Sequence, residues 1–315
     1  CPLRPTYPLY MPKRARITDV SPRDGLQNEP LRADGSAIPT ADKARLINAL
    51  TSTGVDEIEI TSFVSPTWIP QLGDARELCE MLRGSRPKNV SFSALVPNEK
   101  GMRSLLEVYE TPGERLIDKV SVFTAASETF SKKNTNASIA ETLERFKPVI
   151  ELAQERGLKV RGYVSCVIEC PFEGIIMPEA VADVSKKLLE LGADEIDLGD
   201  TIGAGCTETM AARLACVTSR IDPDKIVLHL HDTFGRASEC VRAALALGVT
   251  SFDGSAAGLG GCPYASTETK RAPGNIATDT LVRVIQAQGF ETNVDLDKLA
   301  KASSIAQGLT QAVPS

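Results

Sequence analysis

The chain has 315 residues, a formal net charge of −6, 42% hydrophobic residues and 24% charged residues. This composition is typical of a globular protein, and the lack of a Lys/Arg-rich block argues against a nucleic-acid partner. No apolar stretch approaches the roughly 20 residues of a membrane-spanning helix, so no membrane partner is expected. The eight cysteines are irregularly spaced and include no CxxC pair, which indicates free thiols rather than a disulfide framework or a zinc ribbon.

The first residues differ in composition from the rest. Residues 1–15 carry prolines and arginines but no acid, so we expect an N-terminal extension, with Met11 as a candidate true start. Residues 16–315 are expected to form a single domain. Free thiols favour a cytoplasmic location, with the mitochondrial matrix as the alternative if a transit peptide has been removed.

A helix-like segment, a glycine and a strand-like run recur along the chain, at Gly54, Gly157, Gly192 and Gly248. Glycine just past a helix end supplies a left-handed C-cap, after which the chain can enter a strand. The repetition predicts alternating strands and helices and a parallel sheet.

The strand candidates are residues 16–21, 57–62, 90–96, 119–124, 159–166, 195–200, 226–232 and 251–256. Eight such units predict an α/β fold of the (β/α)8 TIM-barrel class, with extra C-terminal helices. The competing open, doubly wound sheet normally has a Gly-rich nucleotide loop after its first strand, and this chain has none there.

Both histidines of the chain lie in His229-Leu230-His231-Asp232, at the end of the seventh predicted strand. Side chains at i and i+2 of a strand share a face. Imidazole is the commonest metal-binding side chain, so the pair predicts half of a coordination sphere. Two core histidines satisfied by backbone carbonyls are the alternative.

Polar residues collect where the predicted strands end, which is where barrel enzymes have their active sites. These positions are Arg23 and Asp24, Glu59, Asp200, the histidine pair, and Cys262 behind the glycines of residues 258–261. Because an unpaired buried charge is expensive, these side chains should face a wet pocket.

Five motifs in chain order resemble those of the 3-hydroxy-3-methylglutaryl-CoA (HMG-CoA) lyase family, in the DRE-TIM metallolyase superfamily. They span residues 22–29 (PRDGLQNE), 61–66, 161–166, 229–232 and 258–264. The resemblance implies a metal-dependent (β/α)8 lyase that cleaves HMG-CoA to acetyl-CoA and acetoacetate by a reverse Claisen reaction. It also implies an acyl-CoA thioester as partner and a homodimer.

By that resemblance, Asp24, His229, His231 and Asn275 are the metal ligands. A carboxylate, two neutral imidazoles and an amide carbonyl suit Mg²⁺ or Mn²⁺ and leave coordination positions for substrate oxygens. The alternative for Asp24 and Asn275 is that each caps a barrel helix.

The same resemblance implies the catalytic roles. Arg23 would hold the thioester oxygen as negative charge develops, and Glu59 would orient Arg23. Asp200 belongs to the expected catalytic set and, like Glu59, is a possible salt-bridge partner of Arg23. The base for the substrate hydroxyl is His229 or Asp24, between which the sequence does not choose.

Two further groups complete the expected site. Cys262 would lie on a mobile glycine-rich lid and take part in proton transfer; a plain turn is the alternative. Lys132, Lys133 and Asn134, in the loop after the fourth strand, would bind coenzyme A phosphates; a generic surface pair of lysines is the alternative.

Three positions depart from the family pattern. Asp19 replaces a glutamate and Asp197 replaces a small hydroxyl residue, while the segment 265–275 is longer and more charged than expected. These differences make a related 3-hydroxyacyl-CoA, such as a citramalyl-type thioester, an alternative substrate.

Other functional classes remain open from the sequence. A Claisen-condensing acyltransferase of the isopropylmalate synthase type shares the barrel and an Arg-Asp-Gly-like first strand. An iron(II) oxygenase would also use two histidines and a carboxylate, but mostly on a β-sandwich. A non-catalytic binding barrel is the last alternative.

Overall fold

Eight parallel strands close into a barrel in the computed structural model, which describes residues 13–84, 87–109, 115–261 and 274–311. The barrel strands are β1 (Arg16–Asp19), β2 (Glu57–Ser62), β3 (Ser91–Leu95), β4 (Lys119–Ala125), β5 (Lys159–Ser165), β8 (Glu195–Asp200), β9 (Ile226–Leu230) and β10 (Ser251–Gly254). All eight strand predictions are confirmed to within two residues at each end. The barrel also argues against the oxygenase alternative, which mostly uses a β-sandwich.

Helices surround the barrel. They are α1 (Thr40–Thr51), α2 (Ala75–Leu82), α3 (Glu99–Tyr109), α4 (Glu128–Thr135), α5 (Ile139–Glu155), α6 (Pro178–Glu190), α7 (Thr207–Thr218), α8 (Ala237–Ala246), α9 (Thr278–Ala287) and α10 (Leu296–Gln311). The expected extra C-terminal helix is α10, which packs between α9 and α1. The (β/α)8 class is therefore confirmed.

Two insertions at the carboxyl ends of the strands were not predicted. The short helix α4 lies between β4 and its barrel helix α5, and a hairpin of β6 (Glu169–Cys170) and β7 (Gly174–Ile175) follows β5. Both lie at the end of the barrel where the strands finish, which we call the mouth.

The barrel interior is polar. Barrels of this class are usually filled by branched aliphatic side chains, whereas here most aliphatic residues of the strands point outward to the helices, and Leu95 and Val227 are inward-facing exceptions. The buried inward-facing side chains include Thr18, Glu57, Glu59, Ser93, Lys119, Ser121, Arg161, Tyr163, Glu195, Asp197, His229 and Asp253. Because isolated buried charges are costly, such an interior must be paired internally or serve a bound group.

The described chain begins inside the fold. Ala15 is fully buried, and its N–H donates at 2.8 Å to the carbonyl of Glu291, in the segment between α9 and α10. Residue 15 therefore already packs against the domain that was predicted to start at residue 16. Residues 1–12, with Met11, lie outside the described residues.

Two further predictions concern the cysteines and membrane-spanning helices. The six described cysteines are free, in agreement with the prediction. No helix within the described ranges is long and apolar enough to cross a membrane.

Candidate metal centre and active site

A short π-helical turn, Ser21–Gly25, places Arg23 and Asp24 at the mouth directly after β1. The backbone N–H groups of Asp24 and Gly25 both donate to the carbonyl of Val20. π-helical turns occur frequently at functional sites. The turn places both side chains at the mouth, and their catalytic and ligand roles stay predictions.

Asp19 anchors this turn. Its carboxylate accepts hydrogen bonds from the Ser21 N–H at 3.0 Å and from the Thr278 hydroxyl at 2.8 Å. Thr278 is the first residue of α9, the helix that follows Asn275. The Asp19 carboxylate therefore connects the end of β1 to the start of α9. The departure from glutamate at position 19 therefore leaves a satisfied buried carboxyl group, outside the reacting cluster.

Asp24, His229 and His231 converge at the mouth. One ligand atom from each lies within 4.8 Å of the others, with His229 Nε2 at 3.9 Å and His231 Nε2 at 4.0 Å from Asp24 Oδ2. None of the three residues is more than 9% exposed. The prediction that both imidazoles share a face is confirmed, because their ring centroids are 5.3 Å apart.

Asn275 joins this cluster. Its amide Nδ2 donates to Asp24 Oδ2 at 2.8 Å and to the Leu259 carbonyl at 3.1 Å. The carbonyl Oδ1 is buried without a partner among the described residues, and a buried acceptor of this kind needs an explanation, such as a bound ion or water. We call Asp24, His229, His231 and Asn275 the mouth cluster.

Neither Asp24 nor Asn275 caps a barrel helix, so the alternative prediction for these two residues is wrong. Helix α1 begins at Thr40, behind Pro39 and far along the chain from Asp24. Helix α9 begins at Thr278, with Ala277 at its N-cap position.

The charges of the cluster suit a cation. Burial works to raise the pKa of Asp24, but Arg23 and the two histidines hold it well below its usual range. Burial and the neighbouring His229 lower the pKa of His231 to about 4. At neutral pH, Asp24 is therefore ionised and His231 neutral, which are the states that bind metal.

His229 is oriented by a residue that the sequence analysis missed. Its Nδ1 lies 3.1 Å from Asp253 Oδ2, and although burial lowers the pKa of His229, this hydrogen bond and nearby carboxylates raise it overall. A carboxylate behind a ligating imidazole fixes the ring and its tautomer. Strand register could have revealed Asp253, because it pairs with His229 across β10 and β9.

Arg23 is held next to the cluster by two carboxylates. Its Nε donates to Glu59 Oε2 at 2.5 Å and its Nη1 to Asp24 Oδ1 at 2.7 Å. Burial acts to lower the pKa of Arg23, but Glu59 and Asp24 raise it above its ordinary value. Tyr163 fixes this pair, because its hydroxyl lies 3.2 Å from Glu59 Oε2. The expected contact between Arg23 and Glu59 is therefore present.

Asp200 is not brought into the cluster. Its two carboxylate oxygens accept the N–H groups of Ala204 at 3.0 Å and Gly205 at 2.8 Å, and it alternates along β8 with the inward-facing Asp197. Burial raises the pKa of Asp200 to about 6. These contacts make Asp200 a cap for its own loop, and the salt bridge to Arg23 is not formed. Its catalytic role stays a prediction.

Asp197 lies one layer below His229. It is fully buried, with Oδ2 3.5 Å from Arg161 Nη1. Burial and the neighbouring Asp253 raise the pKa of Asp197 well above its ordinary value. The neutral form of this extra carboxyl group is therefore favoured, and the group does not line the open mouth.

The charge balance inside the barrel favours a bound cation. Its cationic side chains are Arg23, Lys119 and Arg161, and its carboxyl groups are Asp24, Glu57, Glu59, Glu195, Asp197 and Asp253. The carboxyl groups outnumber these cations by three, and the raised pKa values of Asp197 and His229 reduce the negative excess without reversing it. A cation at the mouth cluster would offset what remains.

Glycines bring the chain close to the mouth cluster. A side chain at Gly260 would place its Cβ 2.7 Å from Asn275 Nδ2, and the backbone φ of +109° there favours glycine. The chain leaves the cluster at Gly261 and returns at Gly274, which packs against the Gly258 carbonyl. Cys262 and residues 265–273 of the lengthened segment lie outside the described residues.

The predicted coenzyme A residues are on a helix, so the expectation of a loop is wrong. Lys132, Lys133 and Asn134 occupy the last turn of α4 and are all exposed. Lysines near a helix C-terminus are favoured by its dipole, which explains the local structure. Lys133 Nζ lies 4.8 Å from the centre of the Phe172 ring in the neighbouring hairpin.

Comparison with known proteins gives consistent matches. The family model described as HMGL-like matches residues 14–306. A relative named mitochondrial hydroxymethylglutaryl-CoA lyase, from Gallus gallus, is 45% identical over 288 residues, covering 91% of each chain. A crystal structure of the HMG-CoA lyase from Brucella melitensis superposes with a TM-score of 0.87 at 45% identity, covering 95% of this chain and 99% of that one.

Other relatives differ in their named substrates and compartments. A structure of an HMG-CoA lyase from Acenitobacter baumannii, in complex with coenzyme A and 3-methylmalate, has a TM-score of 0.83 at 34% identity and covers 95% of this chain and 92% of that one. A Pseudomonas aeruginosa relative, 42% identical, is named 3-hydroxy-3-isohexenylglutaryl-CoA/hydroxymethylglutaryl-CoA lyase. A Rattus norvegicus relative, also 42% identical, is named cytoplasmic.

Proposed function

This chain belongs to the HMGL-like family, and on that premise we propose that it is a metal-dependent lyase that cleaves HMG-CoA to acetyl-CoA and acetoacetate. The observation that carries the proposal is the mouth cluster with Arg23 bonded to its carboxylate at 2.7 Å. A cation site beside a guanidinium group is what a reverse Claisen cleavage requires, since one end of the substrate loses a proton while the other gains negative charge.

The residues that would hold the cation are Asp24, His229, His231 and Asn275, the last through its unpartnered Oδ1. Two imidazoles, a carboxylate and an amide oxygen suit Mg²⁺ or Mn²⁺. When bound, the cation supplies a lower pKa for the substrate hydroxyl and a fixed orientation for its oxygens.

Arg23 would bind the thioester oxygen. Its Nη2 has no hydrogen-bond partner in the described part of the chain, whereas Nε and Nη1 are held by Glu59 and Asp24. The guanidinium is therefore fixed with one donor nitrogen available, so that stabilising the enolate of departing acetyl-CoA needs little reorganisation. Glu59 and Tyr163 act as positioning residues for Arg23.

Two groups are candidates to accept the hydroxyl proton. Nδ1 of His229 is engaged with Asp253 and its Nε2 faces the cluster. Oδ1 of Asp24 already accepts hydrogen bonds at 2.7 Å from Arg23 and from Gln27, and the lowered pKa of Asp24 weakens it as a base. The base for the substrate hydroxyl therefore stays His229 or Asp24.

Three predictions from the resemblance are carried over as part of this proposal. Cys262 would supply the lid thiol for proton transfer, and Lys132 to Asn134 would meet the coenzyme A phosphates. The coenzyme A bound in the Acenitobacter baumannii relative supports an acyl-CoA substrate. A homodimer remains the expected assembly, and light scattering of the purified protein would test it.

A related branched substrate is the second candidate. One relative is named as a lyase of an isohexenyl-branched thioester, and another is in complex with 3-methylmalate. The lengthened segment 265–275 ends at Asn275, which belongs to the mouth cluster. Because Asp197 is fully buried, that segment, rather than Asp197, is the feature that would alter substrate choice.

The test is direct. Metal-loaded protein is incubated with HMG-CoA and with citramalyl-CoA, and acetyl-CoA and the keto acid are measured. Faster release from HMG-CoA supports the proposal, whereas faster release from citramalyl-CoA supports the second candidate. Release of free coenzyme A from acetyl-CoA and a keto acid, without cleavage of either thioester, would overturn both in favour of a condensing acyltransferase.

A further inference from the structure

The two oxygens of the Asp24 carboxylate have different partners. Oδ1 accepts hydrogen bonds from Arg23 Nη1 and from Gln27 Nε2, both at 2.7 Å. Oδ2 accepts one from Asn275 Nδ2 at 2.8 Å and lies 3.9 Å from His229 Nε2. The carboxylate is therefore fastened on one side through Oδ1, while Oδ2 is the oxygen that faces the rest of the mouth cluster.

Gln27 reaches Asp24 because of its place in the sequence. It lies three residues after Asp24, in the helical segment that begins at Ser21, and residues at this spacing are neighbours on a helix surface. Because a carboxylate only accepts hydrogen bonds, the Gln27 side chain presents its NH₂ group rather than its carbonyl oxygen. The contact is thus a local feature of the turn that follows β1.

The donors fill the acceptor positions of Oδ1. Each carboxylate oxygen has about two lone-pair positions. Arg23 and Gln27 occupy both of them on Oδ1, whereas Asn275 occupies one on Oδ2. Asp24 therefore has a single position left for a cation, on the oxygen that lies within 4.0 Å of both imidazoles.

The number of oxygens that Asp24 offers matters for the choice of cation. Mg²⁺ and Mn²⁺ favour octahedral coordination, whereas Ca²⁺ takes about six to eight ligands and accepts both oxygens of one carboxylate. One oxygen of Asp24, the two imidazoles and Asn275 Oδ1 would leave two octahedral positions for substrate oxygens. A second oxygen from Asp24 would take one of these positions.

We propose that Gln27 is a positioning residue that limits Asp24 to one coordinating oxygen, and that it thereby makes the mouth cluster select an octahedral cation such as Mn²⁺ over Ca²⁺. The inference rests on the proposed function for the presence of a cation, and it adds a residue outside the predicted site. Arg23 holds the same oxygen, but its guanidinium also has an assigned contact with the thioester. Gln27 has no such contact, so replacing it isolates the effect on the cation.

Calorimetric titration of the metal-free protein with Mn²⁺ and, separately, with Ca²⁺ tests this role. Gln27→Met keeps the length of the side chain but removes the donor, which frees a position on Oδ1. Mn²⁺ affinity should fall by about 10- to 100-fold, the usual cost of losing a contact to a metal ligand. Ca²⁺ affinity should be nearly retained, because Ca²⁺ can use both oxygens. The ratio of Mn²⁺ to Ca²⁺ affinity should therefore fall by about tenfold or more.

Two further variants separate this role from a general disturbance of the turn. Gln27→Lys keeps an N–H donor at the position and should retain the ratio, since its added charge acts on both divalent cations alike. Gln154→Met makes the same chemical change on helix α5, where the exposed amide contacts the Gly192 carbonyl at 3.4 Å, and should leave both affinities unchanged.

Three results would overturn the proposal. Equal losses of Mn²⁺ and Ca²⁺ affinity in Gln27→Met would show that Gln27 only stabilises the turn, and unchanged Mn²⁺ affinity would remove it from the site. A wild type that binds no Mn²⁺ would do the same. A wild type that binds Mn²⁺ but cleaves no thioester would refute the lyase function alone, since the two affinities are measured without substrate.

Discussion

Two buried groups of charged residues lie along the axis of one barrel, and they differ in how completely they are paired. At the start of the strands, Lys119 donates to both Glu57 and Glu195, and Arg161 donates to Glu195 at 2.7 Å. We call these four residues the floor cluster. In each cluster one carboxylate or amide oxygen is buried without a hydrogen bond among the described residues, Glu57 Oε1 in the floor cluster and Asn275 Oδ1 in the mouth cluster at the other end. Glu57 Oε1 still lies 3.5 Å from the Arg161 guanidinium, whereas Asn275 Oδ1 has no such ion pair.

The difference shows what marks a functional site. Both clusters are buried and charged, so burial of charge does not distinguish them. In the floor cluster two cations face two carboxylates, and the pKa values of Glu57 and Glu195 are lowered despite burial because Arg161 and Lys119 lie beside them. The mouth cluster lacks its own cation at the point where its ligand atoms converge, and that deficit is the evidence for a bound ion.

The largest effect is expected from removing a ligand of the mouth cluster. His231→Ala should weaken Mn²⁺ binding more than about 100-fold, since even outer-shell changes cost 10- to 100-fold, and should abolish turnover. Calorimetric titration with Mn²⁺ measures the loss. Unchanged Mn²⁺ affinity in a folded variant would remove His231 from the cation site.

The second largest effect is expected from replacing Arg23, which should lower kcat more than it lowers Mn²⁺ affinity. Arg23→Gln should bind Mn²⁺ more tightly than His231→Ala does, because Arg23 is not a ligand and only donates to Asp24, while kcat at saturating Mn²⁺ falls by about 10²- to 10³-fold through loss of oxyanion stabilisation. Rates on HMG-CoA and Mn²⁺ affinity are measured on the same preparation. Near-normal kcat would contradict the role of Arg23 at the thioester.

A substitution in the floor cluster should lower stability and leave Mn²⁺ binding intact. Lys119→Met leaves Glu57 and Glu195 with less compensation, so the free energy of unfolding should fall by about 3–5 kcal/mol, while Mn²⁺ affinity is retained. Lys159→Met is the matched control, because its pair with Asp194 is exposed and should contribute less than about 1 kcal/mol. Loss of Mn²⁺ affinity in a folded Lys119→Met would show that the two clusters are not independent.

The smallest effect concerns pH. Among the ligands, only His229 has a raised pKa, whereas that of His231 is about 4 and that of Asp24 is well below its usual range. Mn²⁺ must displace the His229 proton when it is present, so affinity should fall as pH drops, by at most about tenfold per unit. Calorimetry in buffers of different ionisation enthalpy should count about one proton released per ion at pH 6. A count of two would contradict the neutral state of His231.

Local patterns predicted much of this molecule. Strand alternation placed His229 and His231 on one face, and the helix-glycine-strand repeat predicted the barrel. The positions of Asp24 and Asn275 came from the resemblance, because their separation of 251 residues is closed only when the first and last strands pair.

The missed residues share a physical cause. Asp253, Arg161 and Lys119 act through contacts between strands distant in sequence, and those contacts depend on register around the closed barrel. Alternation shows that such residues point inward but does not show which carboxylate meets which cation. Helix α4 was expected as a loop, because a short insertion before the barrel helix leaves little periodicity.

The central claim is that the mouth cluster binds one divalent cation, and anomalous diffraction from a Mn²⁺-soaked crystal tests it most directly. The account predicts a single strong peak within about 2.5 Å of an Asp24 oxygen, His229 Nε2 and His231 Nε2. A fully soaked crystal with no peak among these three atoms, or with its strongest peak elsewhere, would contradict it.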